Sequence, residues 1–347
     1  MQRPILLSGH ERSLTQIKYN AEGDLLFSAS KDHVINVWHS HNGERLGTYD
    51  GHNGTVWTID VDSTSTYLVS GSADNQMRLW NVRTGQCVKT WEFTTAVKRV
   101  AWSEDDKRVL CVTEQRMGYK GAVRVFEINR ESEEQSDEPV LQIQPSGSKA
   151  TVAAWTALDQ FIVTGHENGT LNLWDMDGEL FFDKEERAHM DLITDLQMSP
   201  DGTYFITSSK DKTAKASIWS VGPDKNASGD EDYLTLIKTF SSDPPLNSAS
   251  IVPGKPYVLC GGGQEAMNVT TTSARQGHFE IRFFHRIFEE EVARVKGGFG
   301  PCNTIAVHPQ TKGYAIGGED GYVRVHHFDS DFEASQPYGA ALEPEEL

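Results

Sequence analysis

The chain has 347 residues, 37% of them hydrophobic, with 30 Gly and eight Trp, a size and composition that admit one large all-β domain of short strands and tight turns. Thirty-two Lys and Arg oppose 50 Asp and Glu, and the formal charge of −18 argues against direct, sequence-independent capture of a phosphate backbone, which needs a basic face. Cys87, Cys111, Cys260 and Cys302 lie far apart and no stretch approaches the ~20 apolar residues of a membrane span, so the expectation is a soluble chain of a reducing compartment without signal peptide or anchor.

Taken in chain order, Arg3–Ser8 (RPILLS) is a short apolar strand pattern, and a repeat follows it. The first unit runs from Gly9-His10 through LTQIKYN, a turn at Gly23-Asp24, LLFSAS, Asp32 and VINVW to Trp38. A second runs from Gly51-His52 through VWTIDV, YLVSGS, Asp74 and QMRLW to Trp80, aligned with the first without a gap. His to Asp spans 22 residues and Asp to Trp six in both. A weaker copy covers 97–128, and the acidic stretch NRESEEQSDEP (129–139) after it has the composition of a solvated loop.

The fourth copy, 151–175, has Asn168 where Asp would stand. The fifth opens at His189 and reaches Asp211 after 22 residues but Trp219 after eight, so two residues are inserted. GPDKNASGDED (222–232) reads as a second acidic loop. The sixth copy, 246–285, contains Gly261-Gly262-Gly263 and a polar connection of about 15 residues, a length that in a compact domain usually carries function or disorder. The triplet lacks the Gly-Lys-Ser/Thr ending of a phosphate loop. The seventh, 303–328, has His326 in place of Trp, and 329–347 is an acidic tail with little to bury.

Period-two alternation of Val, Ile, Leu and Thr between Gly, Asp and Asn turns fills every unit, so each is a set of antiparallel strands. Residues 303–328 supply three strands of the last unit, which predicts that Arg3–Ser8 pairs there as the fourth and closes a ring. The domain then spans 1–328.

His10, Ser28, Asp32 with Trp38, His52, Ser70, Asp74 with Trp80, and His189, Thr207, Asp211 with Trp219 contain the residue types of a hydrolase triad. A triad is one asymmetric constellation in one cleft, whereas these sets recur at fixed spacing, so they are expected to tie each unit together by hydrogen bonds. No enzyme activity, cofactor or metal is expected.

The repeat length with its Gly-His and Trp-Asp marks resembles the WD family, which implies a seven-bladed β-propeller. LTQIKYNAEGDLLFSASKD, NGERLGT, GGGQEAMNVTTTSARQGHFEIRFFHRIFEEEVARVKGGFGPCNTIAVHPQ and GGEDGYVRVHHF are similar to the family of the i subunit of eukaryotic translation initiation factor 3. That resemblance implies a cytoplasmic, non-catalytic, monomeric propeller within a hetero-complex. Its implied partners are the b subunit, through a helix of its C-terminal region, and the g subunit. Preinitiation-complex assembly, mRNA recruitment and scanning on the small ribosomal subunit follow from it, without direct nucleic-acid binding. Partner contact is expected in the fifth and sixth units, at Asp201, Thr203 and Tyr204 on a turn and at Gln264 and Glu265 on the long loop. A signalling or ubiquitin-ligase substrate-receptor propeller is the alternative; Trp80-Asn81-Val82-Arg83 matches the adaptor-docking box of such proteins poorly, with Asn for Asp.

Overall fold

An alternating strand unit can bury its apolar face only against a neighbour, and in the computed structural model the units stack into a closed ring of seven four-stranded antiparallel sheets. The structure describes residues 3–334 apart from 133, 146, 185–186, 212–214, 226–230, 243–244, 264–278, 297 and 299. Gln264 and Glu265 therefore lie outside the described residues.

Blade 1 runs outward from Leu14–Tyr19 at the axis through Leu25–Ser30 and Ile35–His39 to Arg45–Tyr49 at the rim. Blades 2 to 6 repeat that order from inner strands Val56–Val61, Val97–Trp102, Ala150–Trp155, Ile193–Met198 and Leu246–Ile251. Blade 7 takes Cys302–Val307, Gly313–Gly318 and Val323–His327 from the C-terminal part and Ile5–Leu7 from the N-terminus, with Ile5 opposite Val325 and Leu7 opposite Val323. Leu7 is buried in this closure, which stabilises the ring by about 1.5–3 kcal/mol.

The core lies between blades. Among the described residues seven apolar clusters stand one at each blade boundary. Trp80 packs with Phe27, Ile35 and Tyr49 of blade 1, while the cluster of Leu7, Leu14 and Trp38 also holds Ala306, Val323 and Val325 and so joins the two ends of the chain. Each inner strand carries a bulge that lets its second residue escape the ladder, as at Leu14/Gln16, Val97/Arg99 and Cys302/Thr304. The glycine triplet serves packing. Gly262 ends the second strand of blade 6, where an added Cβ would stand 1.9 Å from the Pro245 carbonyl oxygen.

The structure corrects the loop expected near 222–232, and it adds detail to 129–139, which is the exposed loop its composition suggests, and to the start of the tail. Segment 129–139 is pinned: Gln135 is buried, its amide donates to the carbonyls of Asn129 and Ser132, and Ser136 accepts the Trp91 indole N–H at 2.8 Å. Arg130 reaches the buried Asp62 of blade 2 at 2.6 Å. Acidic composition hid one buried glutamine and two inter-blade ion pairs, the second between Asp137 and Lys89 of blade 2 at 2.6 Å. Similarly, Lys215–Lys225 and Glu231–Ser241 are strands paired as far as Lys225 opposite Glu231, so the insertion near 222–232 prolongs blade 5 as a hairpin. At the C-terminal end, Ser330–Ala334 is a short helix whose Phe332 ring lies 4.2 Å from Phe328 and 5.5 Å from Tyr257, and residues 335–347 of the acidic tail lie outside the described residues.

Candidate functional site

Blades 1 and 2 carry the same hydrogen-bonded chain. His10 Nε2 lies 2.7 Å from Ser28 Oγ, His10 Nδ1 lies 3.0 Å from Asp32 Oδ2, and Trp38 Nε1 donates to Ser28 Oγ at 2.9 Å. In blade 2 the corresponding separations for His52, Ser70, Asp74 and Trp80 are 2.7, 2.8 and 2.8 Å. Because the indole N–H fills the serine acceptor, the hydroxyl proton is left for His Nε2 and the ring carries its own proton on Nδ1, toward the carboxylate. Burial alone would raise the Asp74 carboxyl, but the hydrogen bond from His52 and the backbone N–H of Asn53 hold it at about 2. Ser28 and Ser70 are fully buried, so neither hydroxyl can meet a substrate. Chemically the sets are clamps that satisfy buried polar groups and tie the loop before the inner strand to the second and third strands.

Blade 5 keeps a looser version. His189 Nε2 is 2.7 Å from Thr207 Oγ1 and Trp219 Nε1 donates to that hydroxyl at 3.1 Å, whereas Asp211 Oδ2 stands 3.7 Å from Nδ1, which has no hydrogen-bond partner among the described residues. Blade 4 holds a clamp that spacing did not disclose. His166, at the end of the second strand, takes the place of the loop histidine: Nε2 meets Thr164 Oγ1 at 2.9 Å, Nδ1 donates to the Ser148 carbonyl at 2.9 Å, and Trp174 Nε1 donates to Thr164 at 2.8 Å. Asn168 holds the turn by accepting the Thr170 N–H. A histidine two residues after the threonine, in TGHENGT, was the available signal.

Blades 3, 6 and 7 have Phe126, Phe284 and His326 at the tryptophan position and Cys111, Cys260 and Ile316 at the serine position. Ring contacts replace the clamp there: His326 is stacked on Tyr314 at 4.8 Å, and Tyr314 meets Phe283 at 5.4 Å across the boundary of blades 6 and 7.

A second polar system encircles the axis, around a channel of about 1210 Å³ lined by the inner strands. The bulged second residue of an inner strand donates to the carbonyl of the first residue in the next blade. Thr15 reaches Val56, Thr151 reaches Ile193, Thr194 reaches Leu246, Asn247 reaches Cys302 and Asn303 reaches Leu14. Trp57 and Lys98 occupy this place in blades 2 and 3, with the Lys98 ammonium 3.9 Å from the Trp57 ring centroid. From blade 3, Arg99 crosses to Asp195 of blade 5 at 3.1 Å and to the Leu196 carbonyl at 2.7 Å.

The turn between the first two strands of blade 5 carries Asp201 and Thr203, both exposed, with Asp201 accepting the Thr203 N–H at 3.3 Å. Tyr204 follows, half-buried, and its hydroxyl accepts from Arg286 of blade 6 at 2.8 Å. Beside it Leu236, Ile237, Ile287 and Phe288 are each about half exposed, and Lys238 of blade 5 pairs with Glu289 of blade 6 at 2.6 Å. Sequence patterning alone did not mark this apolar strip, because Leu236 and Ile237 on the outer strand of blade 5 and Ile287 and Phe288 on a turn of blade 6 are each an ordinary apolar pair.

Among the described residues no helix is long and apolar enough to cross a membrane, and no group of His, Cys, Asp or Glu is placed to hold a metal. Ring closure, four-stranded blades and recurring clamps define a seven-bladed WD-repeat propeller. The family model EIF3I matches residues 1–336. The chain is 62% identical over 352 residues to eukaryotic translation initiation factor 3 subunit I of Mycosarcoma maydis, covering 98% of each chain. To the subunit I of Schizosaccharomyces pombe it is 57% identical over 95% of this chain and 98% of the relative, and to that of Neurospora crassa 56% identical over 95% and 92%. The chain belongs to the family of eukaryotic translation initiation factor 3 subunit I, a family of translation initiation factors and not of enzymes.

Proposed function

We propose that this chain is the scaffold subunit I of translation initiation factor 3 in the cytoplasm, holding the b subunit through a helix of its C-terminal region and also the g subunit. In that role it supports preinitiation-complex assembly, mRNA recruitment and scanning on the small ribosomal subunit. The observation that carries the b-subunit reading is the strip of Leu236, Ile237, Ile287 and Phe288 beside Asp201, Thr203 and Tyr204. An amphipathic helix lays apolar residues spaced three and four apart into such a strip, and basic residues on its flanks suit a propeller of formal charge −18. Gln264 and Glu265, which lie outside the described residues, belong to the proposed contact as well.

Affinity purification of the tagged chain followed by mass spectrometry tests the reading. Subunits b and g together with small-subunit ribosomal proteins are the expected companions. Ubiquitin-ligase or receptor-signalling adaptors in their absence would overturn it.

A further inference from the structure

The mouth of the channel where the inner strands begin differs from the rest of the molecule on one side only. In five blades the second inner-strand side chain is used by a neighbouring carbonyl, whereas Trp57 and Lys98 are not bonded in this way. Beside them stands the connection between the second and third strands of blade 3, residues 114–122. It turns back through Met117 and Gly118, with φ of 51° and 85°, while Arg116 and Tyr119 are bridged. Met117 is 85% exposed and Tyr119 is 56% exposed, between Arg116 and Lys120.

Cations concentrate here. Lys98 and Lys149 line the same channel wall with Glu114 and Glu167, and burial depresses the Lys98 ammonium against the pull of Glu114, with Arg116 and Lys149 adding repulsion. Glu114 stands 3.9 Å from Lys98 and Glu167 stands 2.9 Å from Lys149. Arg116 and Lys120 are exposed and among the described residues have no ion-pair partner. The result is a cationic spot bearing an exposed Met and Tyr on a chain of formal charge −18.

We infer that this rim of blades 2 to 4 is a docking surface for an acidic protein segment with an aromatic or aliphatic anchor, separate from the strip between blades 5 and 6. Met, Tyr and Arg are the residue types that anchor protein interfaces, and the local cations complement an acidic partner. A nucleic-acid strand fits less well, because Glu114 and Glu167 alternate with the lysines and the overall charge opposes a phosphate backbone.

Peptide-display selection on the immobilised full chain, followed by fluorescence polarisation of the enriched peptides, tests this. The expected peptides are rich in Asp and Glu around an apolar anchor, bind more weakly as salt rises, and lose about tenfold in affinity to the Arg116→Glu/Lys149→Glu chain and to the Met117→Ser/Tyr119→Ser chain. Melting curves of both variants are expected to match the unaltered chain; if the charge variant melts early, the Lys120→Glu chain replaces it. No enrichment, enrichment of non-acidic peptides, equal affinity for the variants, or tighter binding of labelled oligouridylate than of any peptide would overturn the inference.

Discussion

His166 Nε2 and Thr164 Oγ1 stand 2.9 Å apart on one strand of blade 4, where blades 1, 2 and 5 bring the histidine in from a preceding loop. The geometry completes the same polar chain from a different direction. The Ser148 carbonyl can only accept, so it fixes the proton on Nδ1 and leaves Nε2 to receive the threonine hydroxyl. His166→Ala should therefore remove the acceptor of the buried Thr164 hydroxyl and the donor to the Ser148 carbonyl, and lower stability by about 2–3 kcal/mol in urea unfolding. A loss no larger than that of an exposed surface alanine would deny the clamp role.

His326 adds a pH dependence. Burial first, then the charges of Arg324 and His327, bring its imidazole down to about 4, against roughly 6.5 in an unfolded chain. The fold thus favours the neutral ring stacked on Tyr314, a contribution present above pH ~6.5 and lost as pH falls through about 4. Over that window the loss is about 3 kcal/mol, and His326→Phe should abolish this part of the acid sensitivity. Unfolding curves from neutral pH down to the lower limit check it; identical acid slopes for the two chains would contradict the assignment.

The ring of inter-blade bonds gives paired predictions of opposite sign. Thr15→Val removes the donor to the Val56 carbonyl and should destabilise by about 1 kcal/mol. Lys98→Thr places a hydroxyl where blades 1, 4 and 5 have one and should stabilise by about 0.5–1 kcal/mol through a new bond to blade 4. Chemical denaturation of the two variants side by side measures both, and a loss at Lys98→Thr would show that the contact with Trp57 outweighs the missing bond.

Fold and clamps were legible in the sequence to the degree that they repeat. His10, Ser28, Asp32 and Trp38 return as His52, Ser70, Asp74 and Trp80 at identical spacing, and blade 5 departs by a visible insertion. His166 escaped because it moved from loop to strand, which breaks the spacing while conserving the chemistry. Arg99 meeting Asp195, and Asn303 meeting the carbonyl of Leu14, depend on how the ring closes, and no local pattern encodes the closure. The pinned segment around Gln135 was obscured because acidic neighbours dominate its composition. At the strip between blades 5 and 6, the apolar residues come from two rim elements far apart in the chain, so neither stretch looked unusual alone.

Under the proposed function, clamps hold the blades while the partner surface lies where the clamp is stretched or missing. Titration of the C-terminal helix of the b subunit into purified chains, with a melting curve for each, separates the two roles. Asp201→Lys and Phe288→Ser are expected to weaken the helix by about tenfold or more with the melting temperature unchanged, whereas Asp74→Ala should lower the melting temperature and leave the affinity within about twofold. Unaltered affinity for the Asp201 and Phe288 variants, or a loss of affinity at Asp74→Ala in a still-folded chain, would contradict the account.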